Sequence, residues 1–121
     1  MDANPLFIKM FNLCRPEDKN LNLGIGNEKG IKEFYMFDDS SALNTFSYEW
    51  VKTLNLPIKE SKSVQVESLN DVVSKYCTNG FPDFLDCDIE GNDYNVLSNC
   101  DFSQVAPKVI CVEVKEGEFE S

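Results

Sequence analysis

Apolar positions change their spacing several times along this chain of 121 residues, and each spacing names an element. Phe7, Met10, Phe11 and Cys14 recur at i, i+3, i+4 and i+7, which predicts an amphipathic helix with Asn4 as its N-cap and Pro5 in its first turn. Leu21, Leu23 and Ile25 then alternate with small or polar residues as a short strand. Asn27-Glu28-Lys29-Gly30 is turn chemistry, leading to an aromatic-rich strand over 31–37 that pairs with a neighbour.

Asp38-Asp39-Ser40-Ser41 interrupts this pattern as a solvated loop. Phe46, Trp50 and Leu54, four residues apart, predict a helix over 45–54 whose aromatics enter the core and which Pro57 stops. In 62–67 the valines face one way and the polar residues the other, as in a half-exposed strand. Ser68 and Asp71 form a capping-box-like start to a helix with Leu69, Val72, Val73, Tyr76 and Cys77 on one face. A strand over 81–91 and a helix over 92–100 follow. Val109-Ile110-Cys111-Val112 is then the continuous apolar run expected of a parallel strand covered on both faces. The acidic tail from Glu116 is expected to fray. Strand, helix, strand, helix, strand from residue 62 onward is the order of a parallel sheet with crossover helices, and 1–121 reads as one domain.

The stretch 81–91 carries the chemistry. Leu85, Cys87 and Ile89 fall on one side of the strand, and Phe84, Asp86, Asp88 and Glu90 on the other. Acids so placed need solvent, partners or a cleft, and α/β sheets form clefts beyond the carboxyl ends of their strands.

Composition narrows the choices. The 21 acidic and 11 basic residues give a net charge of −10, which argues against a nucleic-acid partner or a polybasic membrane anchor. Five cysteines, with no C-x-x-C spacing, read as buried thiols of a cytoplasmic protein. With no histidine in the chain, His-dependent triads and most zinc patterns are excluded, leaving base chemistry to carboxylates, Lys, Tyr or Cys.

Asp83-Phe84-Leu85-Asp86-Cys87-Asp88-Ile89-Glu90-Gly91-Asn92-Asp93-Tyr94-Asn95-Val96-Leu97, followed by Pro107-Lys108-Val109-Ile110-Cys111-Val112-Glu113, resembles the FkbM-type family of S-adenosylmethionine-dependent methyltransferases. The likeness extends upstream: Asp2-Ala3-Asn4-Pro5 resembles the acidic turn after the family's second strand, 21–30 its third strand and turn, and 64–73 the strand and helix before its fourth. The resemblance implies a partial class I methyltransferase fold, an α/β, Rossmann-like three-layer domain with a mainly parallel sheet. The family's first strand and glycine-rich loop would precede Asp2, and its last strands would follow Glu116. Gly24-x-Gly26 is too short to replace that loop. The expectation is therefore a fragment whose fourth strand pairs with something else, or which is weakly stable and self-associates through unpaired sheet edges.

By that resemblance, Asp2 is the acid that accepts hydrogen bonds from the cofactor's ribose hydroxyls, or else a solvated terminal Asp. Gly26 and Asn27 line the adenine pocket, or simply form a turn. Asp88 and Glu90 stand where donor methyl and acceptor meet, to orient or deprotonate an acceptor hydroxyl or to hold Mg²⁺; Glu90 could instead cap the following helix, with Gly91 supplying a tight turn. Glu113 lines the acceptor cleft. The acceptor implied is a hydroxyl of a small molecule or glycan. The rival reading is a non-catalytic α/β binding or assembly module.

Overall fold

Asn4 starts the first helix by the mechanism its position predicts. Its side-chain oxygen accepts the Leu6 N–H at 3.0 Å, Pro5 fills the first turn, and α1 runs Pro5–Cys14. The computed structural model describes residues 1–89 and 92–114. Beyond α1 it contains β1 (Gly24–Ile25), β2 (Gly30–Met36), α2 (Tyr48–Leu54), β3 (Glu60–Glu67), α3 (Leu69–Tyr76), β4 (Phe84–Cys87), α4 (Asp93–Ser98) and β5 (Val109–Val112). The expected acidic tail lies outside the described residues. The chain divides into two compact units, 1–24 with 29–66 and 25–28 with 67–121.

In the first unit β2 and β3 run antiparallel, with Phe34 opposite Lys62 and Lys32 opposite Val64. Phe34, Met36, Val64 and Val66 share the inward face, while Ile31, Glu33 and Tyr35 alternate onto the other. Glu33 and Ser63 are paired on that outer face, where the hydroxyl donates to the carboxylate at 2.6 Å. Ala3, Leu6 and Phe46 pack on Phe34, Met36 and Val64. Thr45 and Tyr35 exchange backbone bonds at 2.8 and 3.0 Å, so Phe46 reaches the core from an extended segment and not from a helix. Ser47 is the cap of α2, accepting from Trp50 N–H at 3.1 Å. The later start rotates the helix so that Val51 is buried and Trp50 is 47% exposed, in place of the expected Trp50 core contact. The Asp38-Asp39 loop is exposed as expected, with Asp39 paired to Lys59.

In the second unit Ser68 caps α3 by accepting from Asp71 N–H at 3.1 Å. Leu69, Val73 and Val96 form the centre of a cluster joined by Ile25, Phe81, Leu85 and Ile89. β4 and β5 pair in parallel, Phe84 opposite Val109 and Cys87 opposite Val112.

The sheets are thus mixed and small where a mainly parallel one was expected. One has the order β1-β3-β2 and the other β4-β5. The alternating polar and apolar residues of β3 suit an antiparallel partner with one wet face, which is what β2 provides. β5 is a second departure. Val109 is 54% and Ile110 39% exposed, so no described element covers this apolar run on both faces. Cys14 and Cys111 are exposed, Cys77 and Cys100 half-buried, and only Cys87 is a buried thiol. Among the described residues no helix is long and apolar enough to cross a membrane.

Candidate functional site

The parallel register of β4 and β5 determines what stands at their carboxyl ends. Cys87 and Val112 are the last paired residues, so Asp88 and Glu113 come one step beyond, on neighbouring strands at one sheet edge. Both are exposed. The alternation expected along β4 holds: Phe84, Asp86 and Asp88 are exposed, Leu85 and Ile89 half-buried, and Cys87 buried. Glu90 and Gly91 lie outside the described residues.

A residue beside this strand end that was not among the candidates read from the sequence is Asp93. It opens α4, is 2% exposed, and its Oδ1 accepts the Ile89 N–H at 3.3 Å. The same carboxylate acts on Cys87. Burial first, then the charge and hydrogen bonding of Asp93, push that thiol up to about 12. Cys87 is therefore a protonated packing group at neutral pH and not a nucleophile. An acid at the start of a helix is so ordinary a sign of dipole complementarity that its sequence position gave no hint of burial.

Gly26 and Asn27 belong to the same unit as Asp88 and Glu113. Gly26 is buried and donates its N–H to the Glu67 carbonyl at 3.1 Å, whereas Asn27 is exposed. Their neighbour Ile25 shares the apolar cluster with Leu85 and Ile89. Glu67 is itself 5% exposed. One of its oxygens takes the Lys75 ammonium at 2.6 Å, and its buried Oε2 has no hydrogen-bond partner.

Asp2 belongs to the first unit, where it is held firmly and is not a frayed terminus. Its N–H donates to the Leu21 carbonyl at 3.1 Å, it forms a parallel bridge with Asn22, and its Oδ1 accepts the Asn4 N–H at 2.8 Å.

A hollow of about 270 Å³ in the second unit is lined by Asn70, Val73, Gly80, Phe81, Asp101 and Val105, among others, and by none of the predicted site residues. It adjoins the residues leading into β4, not those that follow it. Among the described residues no three His, Cys, Asp or Glu side chains converge as a metal site.

No curated protein and no solved structure matches this chain. The family model described as methyltransferase FkbM domain matches residues 2–121, nearly the whole sequence, and the chain belongs to that family.

Proposed function

We propose that this chain belongs to an S-adenosylmethionine-dependent methyltransferase that methylates a hydroxyl oxygen of a small molecule or glycan. The observation that carries the reading is the pairing of Cys87 with Val112, which brings Asp88 and Glu113 to one sheet edge in a chain of FkbM type. Asp88 accepts a hydrogen bond from the acceptor hydroxyl and takes up its proton, and Glu113 lines the acceptor side. Glu90, two residues beyond Asp88, shares in this reading the task of orienting the acceptor hydroxyl.

The donor chemistry of the available residues fits the cofactor. Carboxylates such as Asp2 accept from vicinal ribose hydroxyls, and Gly26 with Asn27 is the proposed lining for the base. When bound, the cofactor supplies an electrophilic methyl group on a sulfonium. The protein's task is then to hold an oxygen in line with it and to exclude competing water. Five free thiols suit a reducing cytoplasm.

A second reading, a binding or assembly module without catalysis, is favoured by the exposed β5 side chains, which would support self-association through that sheet. Titration with S-adenosylmethionine by calorimetry discriminates. The enzyme reading expects binding heat and a rise in melting temperature. Neither at millimolar cofactor, together with a mass that grows with protein concentration in light scattering, would reject it for the module.

A further inference from the structure

Resting on the reading of the β4 edge as the reaction site, we propose that Asp93 is a positioning residue that fixes the backbone carrying Asp88. Its partners flank that residue on both sides. Cys87, just before Asp88, has its thiol against the Asp93 carboxylate, and Ile89, just after, donates its N–H to Oδ1 at 3.3 Å. Asp88 is itself exposed, one residue beyond β4. Its placement comes from its neighbours.

The burial of Asp93 is hard to explain otherwise. A carboxylate that complements the helix dipole does so from the surface, whereas Asp93 is 2% exposed and bonds back to Ile89, two residues beyond β4. Burying a charge is costly unless hydrogen bonds compensate it. Nor is Asp93 standing in for a missing N-cap bond at Asn92, because its bond goes to Ile89 of the preceding segment and not to the helix backbone. The carboxylate ties the end of β4 to the start of α4, and Asp88 rides on the tied segment.

Amide hydrogen exchange on the intact chain tests this. In the wild type the Ile89 amide is expected to be protected although it lies outside regular structure. Exchange at the unprotected rate would overturn the proposal. In Asp93→Ala the Ile89 amide should exchange roughly ten- to a hundredfold faster, the equivalent of one lost charge-assisted bond, while Val73 and Val96 keep their protection. Asp93→Asn retains an acceptor oxygen and should restore most of the protection. Equal acceleration at Ile89, Val73 and Val96 would make Asp93 a general stability residue and overturn the proposal, as would the absence of rescue by Asn. S-adenosylmethionine titrated into the wild type tests the underlying site reading separately. Absent heat there removes the proposed chemistry of Asp88 but leaves the exchange result to decide the role of Asp93.

Discussion

Asn70 and Asp101 lie 31 residues apart and exchange two hydrogen bonds, the Asn70 amide donating to the Asp101 carbonyl at 3.0 Å and accepting the Asp101 N–H at 2.9 Å. One side chain thus replaces a rung of sheet between α3 and the segment after α4. Asn70→Ala should cost about 1–2 kcal/mol in urea unfolding, because two backbone groups lose their partner. Asn70→Asp, which keeps an acceptor but no donor, should lose about half as much.

Gly80 sits at φ +81°, and a Cβ there would come within 2.7 Å of Val105 Cγ1. Val105 is 45% exposed and can give way, but the backbone conformation cannot. Gly80→Ala should destabilise by about 1–2 kcal/mol from the left-handed strain alone. Combining it with Val105→Ala should recover only the steric part. Thermal melts of the single and double variants separate the two contributions.

The five thiols should differ in reactivity. Cys14 and Cys111 are exposed, burial holds Cys100 above its ordinary value, and Cys87 is pushed from 9.0 to about 12. Timed alkylation read by mass spectrometry should label Cys14 and Cys111 first and Cys87 last. The same shift bears on stability. Between pH 9 and 12 the unfolded chain gives up this proton while the folded chain keeps it. Stability is undiminished by this group below that window and falls as pH rises through it. Cys87→Ser should flatten the alkaline limb of a stability-pH profile.

Glu67 and Lys75 form an unequal pair, a buried carboxylate with one unpartnered oxygen and a half-exposed ammonium. The hydrogen bond to Glu67 raises the Lys75 pKa, so its contribution is complete below the ordinary lysine value and is lost as pH rises through the raised one. Lys75→Met should lower the melting temperature more than Glu67→Gln does, because it leaves the buried charge uncompensated. The double variant should recover part of the loss. A larger loss from Glu67→Gln would contradict this account.

Helix starts marked by a cap were legible from the sequence: Asn4 and Ser68 start α1 and α3 where their side-chain chemistry says they should. The face expected for α1 was not, because Ile8 is its buried residue while Met10 and Cys14 of the i, i+3, i+4, i+7 set are exposed. The apolar alternation in β3 was legible too, but the direction of its partner was not, since pairing with β2 is a non-local choice that 62–67 does not encode alone. The spacing of Phe46, Trp50 and Leu54 misled because an extended segment and a helix both contributed to it, with Ser47 as the overlooked boundary. At the site, the adjacency of Asp88 and Glu113 followed from two strands whose existence the sequence located, although β4 is Phe84–Cys87 where 81–91 was expected. Asp93 was invisible because its burial depends on where α4 folds back against Cys87 and Ile89. The apolar run of β5 shows the converse. Hydrophobicity predicts a need for cover, not its presence.

The aromatic ring of Phe46 occupies the place where a side chain at position 24 would be. A Cβ on Gly24 would stand 2.7 Å from Phe46 Cζ and 3.1 Å from Val66 Cγ2. In genetic terms the two positions behave as one locus. Gly24→Ala should destabilise in the presence of Phe46 and cost less with Phe46→Leu, so the two substitutions are not additive. Any library that varies the core of this unit must vary the two together.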